Sequence, residues 1–286
     1  MANVLIVGCG YVGAALGAAL AGEGHLVWGM RRNPEKLPQS IEPLSADIHD
    51  KDLGGLLPDG LDYIFYTLSS GGGGEAGYRA AYADGPKNLI QALDNKGERP
   101  RRIFFTSSTA VYAQTDGSRV DEGSPTLPTH YSGRTLLEGE RTLLESGYAA
   151  TILRLSGIYG PGRTRLIDSV RAGRAEVQAG SPRFTNRIHR DDCAGALAHL
   201  MKLEAPAEMY LGVDDEPADR RKVLIWLAER LGVPHPREAG GGEAPSARAA
   251  TSKRCSNARL KAAGYRFLYP SYREGYAEMI KEVKTT

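Results

Sequence analysis

Short apolar runs and longer stretches with helical spacing alternate along the first half of the chain. An apolar, β-branched run at 3–7 precedes an Ala/Leu/Gly-rich segment at 11–22, and apolar runs follow at 25–30 and 61–68. Continuous apolar runs of this length are typical of parallel strands that are buried on both faces. The segment between the first two runs has the spacing of a helix. The pattern therefore predicts a strand, a helix and a second strand, with a further strand at 61–68.

The same alternation continues to about residue 156. It predicts helices at 78–95 and 131–146 and strands at 102–107 and 150–156. Strands that alternate with helices are typical of a parallel sheet covered by helices on both faces. We therefore predict an α/β fold with a Rossmann-type, doubly wound parallel sheet.

After Pro161 the regular pattern ends. Residues 162–187 show no clear period, while later segments predict a helix at 191–203, a strand at 209–213, a helix at 219–232 and an irregular, Gly-rich surface loop at 238–254. We predict a nucleotide-binding domain over 1–160, to which 188–215 returns. Residues 161–286 are expected to form a smaller C-terminal substrate-binding part.

Composition narrows the range of partners and compartments. Apolar residues make up 41% and charged residues 24% of the 286 positions, which is ordinary for a globular protein. A formal net charge of +2 shows no basic bias, so we expect neither a nucleic-acid nor a membrane partner. The 3 cysteines have no zinc-binding spacing and fit a reducing compartment. We expect a cytoplasmic protein without a metal site.

The first predicted strand runs into the glycine motif GCGYVG. Gly8, Gly10 and Gly13 are its glycines, and Tyr11 and Val12 open the helix between them. In a strand–loop–helix context the first glycine permits a tight turn and the second lets a pyrophosphate approach the backbone. The third permits close packing, and the helix N-terminus attracts the phosphates. The alternative is a Gly-rich turn without a ligand; the context favours dinucleotide binding at all five positions.

The end of the second strand bears on which dinucleotide is bound. An NAD site would have a carboxylate there for the ribose hydroxyl, but this chain has Arg31 and Arg32. Guanidinium groups suit a 2′-phosphate, so we predict NADP in preference to NAD, the alternative being a solvated basic turn. Asp47 and Ile48 follow a further strand that we expect between the runs at 25–30 and 61–68, and they are candidates for contact with the adenine end.

Hydroxyl side chains end the strand at 102–107, where ligands bind in open α/β sheets. Ser107 or Ser108 could hold a substrate oxygen there, and the helix that starts at Tyr131 returns to the same edge. Tyr131 lies about 180° around that helix from its leucine stripe. Its phenol is therefore either a proton donor and acceptor or a structural ring.

Several segments together resemble a known family. They are VLIVGCGYVG, SADIHD, FFTSSTAVY, LRLSGIYGPG and RFTNRIHRDDCAGAL. The chain resembles the extended short-chain dehydrogenases/reductases of the NAD-dependent epimerase/dehydratase family, with glycine spacing similar to the atypical members. The resemblance implies that Ser108 orients a substrate oxygen while Tyr131 exchanges a proton with it. It also implies a homodimer through the helices at 78–95 and 131–146.

The resemblance fails at one position. The family places a lysine four residues after the tyrosine, where it binds the nicotinamide ribose and favours the phenolate. This chain has Thr135 there, and the nearest cation is Arg134, one residue earlier. An unperturbed phenol costs roughly 4 kcal/mol to ionise at pH 7, so a nearby cation matters. Arg134 is therefore the third catalytic candidate.

Two classes of function follow. The first is an NAD(P)-dependent oxidoreductase or epimerase/dehydratase-like enzyme for a small carbonyl, alcohol or nucleotide-sugar substrate. The second is a non-catalytic NAD(P)-binding protein, such as a redox-responsive regulator, that has lost the family lysine at Thr135.

Overall fold

The computed structural model describes residues 1–178, 180–239 and 251–285. Its contacts divide the chain into two compact units. The first unit comprises Met1–Val111, Pro128–Arg154 and Cys193–Tyr210, and the second comprises Tyr112–Leu127, Leu155–Asp192 and the chain from Leu211 onward. The predicted division fell at 160/161 with a return over 188–215. The observed units also exchange a segment, since 112–127 belongs to the second unit.

The strands, in chain order, are β1 (Asn3–Val7), β2 (Leu26–Arg31), β3 (Glu42–Ser45), β4 (Tyr63–Tyr66), β5 (Arg102–Ser108), β6 (Arg119–Val120), β7 (Ala150–Leu155), β8 (Gly157–Tyr159), β9 (Glu176–Val177), β10 (Phe184–Thr185), β11 (Arg187–His189), β12 (Met209–Gly212), β13 (Ala218–Asp219), β14 (Arg237–Glu238) and β15 (Arg254–Cys255). The α-helices are α1 (Tyr11–Gly22), α2 (Leu53–Leu56), α3 (Gly74–Arg79), α4 (Gly85–Lys96), α5 (Tyr131–Leu144), α6 (Arg165–Arg171), α7 (Arg190–Met201), α8 (Arg220–Leu231), α9 (Ala258–Ala262) and α10 (Tyr272–Thr285). Short 3₁₀ turns occupy Pro34–Lys36 and Thr109–Val111, and a π-helical turn occupies Ala80–Asp84.

A seven-stranded parallel sheet organises the fold, in the order β12-β7-β5-β4-β1-β2-β3. The β1 strand pairs with β2 on one side and β4 on the other, and β4 pairs in turn with β5. Strand order reverses beside β1, which places β1 and β4 at the topological switch point where such sheets bind ligands. The predicted Rossmann-type, doubly wound sheet is confirmed.

The strands of this sheet are apolar because both faces are covered. In β1 the residues from Val4 to Val7 are 0% exposed. Complete burial explains why the strand is a continuous apolar run and does not alternate with polar residues. Because such apolar runs can be recognised in the sequence, most predicted elements of the first unit match the observed ones to within a few residues.

The helix predicted at 78–95 is interrupted. It forms as α3, the π turn at Ala80–Asp84 and α4. The hydroxyl of Tyr66 donates a hydrogen bond to the carbonyl of Ala81, and a side chain at Gly85 would collide with the same hydroxyl. A buried phenol from the sheet thus enters the helix, and such insertion is a recognised cause of a π turn.

The buried face of helix α5 overlaps its leucine stripe only in part. Its buried residues include Ser132, Thr135, Gly139 and Glu140 as well as two leucines, while Leu137 is half-buried. A side chain at Gly139 would collide with the carbonyl of Tyr82, so small residues let the helix approach the π turn closely. This rotation places Tyr131 at the edge of the buried face, where the leucine stripe alone had predicted the opposite side.

The second unit has its own core. Its strands form short pairs, β10 with β13, β11 with β8, β14 with β9 and β15 with β6. The apolar faces of α6, α8 and α10 meet in a separate cluster that includes Ile167, Leu224 and Tyr272. The elements over 162–187 have no clear sequence period because they are short. Residues 240–250 of the predicted loop at 238–254 lie outside the described residues.

Among the helices in the described ranges, none combines the length and apolar character needed to cross a membrane.

Candidate functional site

The glycine loop joins β1 to α1 in a turn that requires glycine at its first position. Gly8 has φ +76°, and a Cβ there would lie 2.6 Å from the backbone nitrogen of Leu68. The N–H groups of Gly8 and Cys9 both donate to the carbonyl of Met30 at 3.0 Å. These bonds anchor the loop between β2 and the end of β4.

The next two glycines have different surroundings. A Cβ at Gly10 would approach only the carbonyl of Gly8, at 3.7 Å, so the space above this residue is open. A Cβ at Gly13 would lie 2.5 Å from the Thr67 hydroxyl and 2.9 Å from Ile6, so this glycine permits close helix–sheet packing. Gly10 is also the N-cap of α1 and offers no side chain to its first N–H groups. An open backbone at a helix N-terminus fits a pyrophosphate.

Arg31, Arg32 and Asp47 lie together beside this loop. A guanidinium nitrogen of Arg31 donates to the Cys9 carbonyl at 3.4 Å. The Arg32 guanidinium lies 3.7 Å from the carboxylate of Asp47, and the Arg32 side chain is 80% exposed. Two cations and one carboxylate therefore lie at the end of β2. The guanidinium groups suit a 2′-phosphate, whereas the carboxylate suits a ribose hydroxyl. These side chains fit a nicotinamide dinucleotide.

Ile48 has a different environment from the neighbouring Asp47. Its side chain is 3% exposed and belongs to the core cluster of the sheet. Its carbonyl accepts a hydrogen bond from the Asn88 amide at 3.1 Å. Its contact with adenine stays a prediction, as do the roles of Tyr11 and Val12 on the first turn of α1.

The two serines at the end of β5 have different partners. The hydroxyl of Ser107 donates to Glu140, a residue of α5, and Glu140 forms a bidentate ion pair with Arg154 of β7. Both ionic side chains are at most 5% exposed. Ser107 is thus part of a buried network that ties α5 to two strands. The sequence offered no signal for this network, because its members are far apart along the chain.

Ser108 is half-buried and lies outside that network. Its oxygen accepts a hydrogen bond from the N–H of Ala110 at 3.2 Å, which leaves the hydroxyl proton for another acceptor. A Cβ at Gly133 of α5 would lie 2.8 Å from the carbonyl of Ala110. The first turn of α5, with Tyr131, therefore packs directly on the segment that follows Ser108.

Tyr131 begins α5 within a group of aromatic rings. The Nδ1 atom of His130 accepts from the N–H of Ser132 at 3.3 Å and so caps the helix. The Tyr131 ring lies edge-on to Tyr78, with centroids 5.9 Å apart, and 4.2 Å from the His130 ring. These neighbours restrict the ring position. From the sequence, Tyr78 was only the first residue of the helix predicted over 78–95, because no local pattern connects it to Tyr131.

Thr135 and Arg134 are on different sides of α5. Thr135 is 5% exposed and belongs to the buried face of the helix. Arg134 is exposed, and its guanidinium donates to the carbonyl of Thr129, in the segment before the helix. The position of the family lysine is thus a buried hydroxyl residue. The role of Arg134 as its substitute stays a prediction.

His189 and Asp192 belong to the second unit and to the segment RFTNRIHRDDCAGAL, where the family resemblance implies that this pair holds the C-terminal part in place. The Asp192 carboxylate accepts from the Tyr265 hydroxyl at 2.8 Å and from the N–H groups of Leu268 and Tyr269 at 2.7 and 3.0 Å. Burial lowers the pKa of His189 from its usual value. Asp192 therefore holds the segment before α10, which confirms the structural reading for this residue.

Comparisons with known proteins agree with this geometry. The family model described as "NAD dependent epimerase/dehydratase family" matches residues 4–208. The chain belongs to this family. The matched residues contain the glycine loop and six of the seven strands of the parallel sheet, and the seventh strand, β12, follows them directly.

Relatives of the family member described here include two curated bacterial proteins. A 3 beta-hydroxysteroid dehydrogenase/Delta 5-->4-isomerase of Mycobacterium tuberculosis is 31% identical over 277 residues, covering 85% of this chain and 73% of that protein. Protein YeeZ of Escherichia coli is 31% identical over 257 residues, covering 82% of this chain and 86% of that protein. The family and the first relative indicate an NAD-dependent enzyme.

Solved structures share the whole fold. A Methylobacillus flagellatus protein classed as an NAD-dependent epimerase/dehydratase is 34% identical, with 99% of each chain covered and a TM-score of 0.82. Two structures at 18% identity show the same fold, a human epimerase family protein with NADPH and a Bacillus cereus UDP-glucuronic acid 4-epimerase with NAD, at TM-scores of 0.78 and 0.79.

Proposed function

We propose that this chain is an NADP-preferring oxidoreductase or epimerase/dehydratase-like enzyme that acts on a small carbonyl or alcohol or on a nucleotide sugar. In this proposal Tyr131 exchanges a proton with the substrate oxygen, and Ser108 orients that oxygen. Arg134 is the cation nearest in sequence to the tyrosine.

The observation that supports the proposal best is the arrangement of strand ends within the first unit. The parallel strands β1, β4 and β5 are neighbours, so their carboxyl ends lie at one edge of the sheet. The glycine loop contacts Leu68 beyond the end of β4, and Ser108 ends β5. Contact between Ala110 and Gly133 then brings the first turn of α5 to this edge.

The proposed chemistry needs little more than these groups. A bound nicotinamide dinucleotide would supply or accept the hydride. The backbone at Gly10 and the first turn of α1 would hold its pyrophosphate, and Arg31 with Arg32 its 2′-phosphate. The Ser108 hydroxyl would donate to the substrate oxygen, and the Tyr131 phenol would give up its proton in the reductive direction.

A second candidate function rests on Thr135 and Arg134. Because the lysine position is a buried threonine and Arg134 is bonded to Thr129, no cation with a lysine's reach follows Tyr131 by four residues. A protein with this arrangement could bind NAD(P) without turnover and act as a redox-responsive regulator.

Tyr131→Phe tests the proposal directly. We expect the substitution to lower kcat by at least 100-fold with a change in NADPH affinity below threefold, because it removes only the transferable proton. The measurement is turnover over a panel of carbonyl compounds and nucleotide sugars, with NADPH binding followed by fluorescence. Tyr63→Phe is the matched control, since Tyr63 begins β4 at the opposite edge of the sheet.

The outcomes separate the two functions. If the protein binds NADPH but turns over no compound of the panel, the result would support the regulator proposal and contradict the enzyme proposal. Full turnover by the Tyr131→Phe variant would exclude the assigned proton transfer. An epimerase would leave NADPH absorbance constant while product forms, whereas a reductase would consume NADPH stoichiometrically.

The homodimer that the resemblance implies is a separate proposal, checked by the mass of the protein in solution.

A further inference from the structure

A small pocket in the second unit is lined by three arginines. Arg183, Arg220 and Arg221 face a cavity of about 60 Å³, which Asp219, Gly180 and Ser181 also line. Because one water molecule takes up about 15 Å³ of such a cavity, the space is large enough for about four waters or one tetrahedral oxyanion. This cavity is called the arginine pocket below.

The three guanidinium groups are unequally satisfied. Arg221 donates to the Glu238 carboxylate at 2.9 Å, and Arg220 donates to the carbonyl of Glu176 at 2.8 Å. The Nε atom of Arg183 is buried without an acceptor among the described residues. Unpaired buried donors are uncommon and costly, so this nitrogen points to a missing acceptor.

Chain topology explains why the cations converge. The β10 and β13 strands pair antiparallel, and the N–H of Arg220 donates to the carbonyl of Arg183 at 2.9 Å. This bond holds the two residues side by side across the ribbon. The carboxylate of Asp219 is already used, because it accepts from the N–H of Arg221 at 3.1 Å and caps α8. The carboxylate in the pocket therefore serves as the cap of α8 and does not pair with a guanidinium.

Electrostatics indicates the sign of the ligand. Burial lowers the pKa of Arg183, and the pKa of Arg220 is lowered by burial and by the charges of Arg183 and Arg187. Within the described part of the chain, neither Arg183 nor Arg220 has a carboxylate within ion-pair distance. Half-buried cations that repel one another would be stabilised by an anion between them.

We infer that the arginine pocket binds a phosphate group, either free inorganic phosphate or the phosphate of an organic ester. Tetrahedral oxyanions present several acceptors to forked guanidinium donors, and Arg183 Nε together with the guanidinium of Arg220, which uses one nitrogen on the Glu176 carbonyl, offers such donors. The site is separate from the glycine loop, since all its lining residues belong to the second unit. The inference does not depend on turnover.

Calorimetric titration of the full chain with inorganic phosphate, in a phosphate-free buffer of low ionic strength, tests the assignment. We expect one site whose affinity falls at least tenfold in Arg183→Ala and in Arg220→Ala, because each removes charge-assisted hydrogen bonds. Arg183→Lys keeps the charge but loses the fork, so we expect an intermediate affinity. A folded Arg183→Lys protein also keeps the test open if the alanine variants unfold.

Two controls separate this site from the cofactor site. Arg266→Ala removes an equally charged, exposed residue of the second unit and should change phosphate affinity less than twofold. The Arg31→Ala/Arg32→Ala double variant should keep the phosphate site while losing preference for NADP. Phosphate binding that is abolished by this double variant and unaffected by Arg183→Ala would overturn the inference, as would no binding at all.

Glycerol phosphate distinguishes the two sources of the ligand. Tighter binding than inorganic phosphate, with the same loss in Arg183→Ala, assigns the pocket to an organic ester. Weaker binding with that same loss assigns it to free phosphate. Because all arms measure binding alone, they can fail while NADPH turnover by Tyr131 persists, and they can succeed if turnover is absent.

Discussion

Gly10 and Gly8 show how single positions create a ligand site. Gly8 is glycine because of its φ of +76° and the backbone of Leu68 beside it, whereas Gly10 is next to open space. The first glycine is thus required by the fold, whereas we propose that the second leaves room for the pyrophosphate of the cofactor. A sequence motif contains both glycines without distinguishing them, and the tertiary contacts assign each its reason.

Arg31 and Arg32 belong to the same scale, and we propose that they select the cofactor. We predict that Arg31→Ala and Arg32→Ala each weaken NADP binding at least tenfold and change NAD binding less than threefold, because a charge-assisted hydrogen bond to the 2′-phosphate is lost. Equilibrium titration with both dinucleotides measures the effect. Arg141→Ala, which removes an exposed charge from α5, is the control. NAD binding as tightly as NADP in the wild type, unchanged in both variants, would refute the 2′-phosphate assignment.

Helix α5 shows, for a single element, what its own sequence predicts and what its tertiary contacts decide. Its amphipathic period predicted the helix over 131–146, and the structure has it at Tyr131–Leu144. Which face it buries was not readable, because Glu140 is charged yet buried against Arg154. A charged residue in the middle of a helix normally indicates solvent. The partner that reverses this lies on β7, which no local pattern connects to the helix.

Glu140→Gln tests how strongly this pair joins α5 to the sheet. We predict that unfolding free energy falls by about 3–5 kcal/mol, because Arg154 would remain buried with no counter-charge. Urea denaturation followed by circular dichroism measures the change. Lys202→Ala removes an exposed ion pair with Glu23 and should cost less than about 1 kcal/mol. A loss from Glu140→Gln no larger than that of the control would show that the buried pair contributes nothing specific.

At the scale of the whole molecule, the chain crosses repeatedly between its two units. The segment 112–127 leaves the first unit, and 193–210 returns to it. The sequence predicted that 188–215 returns to the nucleotide-binding domain. It did not predict the departure of 112–127, whose short β6 strand pairs with β15 far along the chain.

Asp214 links the stability of the molecule to pH. It is 2% exposed, its Oδ2 atom has no partner among the described residues, and burial raises its pKa well above the usual value. Because the pKa of Asp214 is higher in the folded chain than in the unfolded chain, proton binding by this carboxyl group stabilises the fold. This stabilisation is fully present below the unfolded pKa of about 3.9 and is lost as pH rises toward the folded pKa. The contribution of Asp214 to the free energy of unfolding is therefore smaller at pH 7 than at pH 4.

Asp214→Asn should reduce this effect. We predict that the variant gains stability relative to the wild type as pH rises from 4 to 7, because asparagine mimics the neutral acid and cannot ionise in the unfolded chain. Thermal or urea unfolding of both proteins at each pH gives the double difference, in which all other carboxyl groups cancel. A constant difference between the two proteins across this range would show that Asp214 is ionised in the native state.

The sequence by itself determined the parallel sheet, the glycine loop and the pair Arg31 and Arg32. These features follow from local period and from the fixed spacing of a strand–turn–helix unit, so neighbouring residues are sufficient to specify them. The tertiary structure alone decided that Ser107 is bound in a buried network while Ser108 is not. It also decided that Thr135 is buried and that Arg183 meets Arg220. Each of these depends on which distant segments pack together, and burial and charge pairing are properties of that packing.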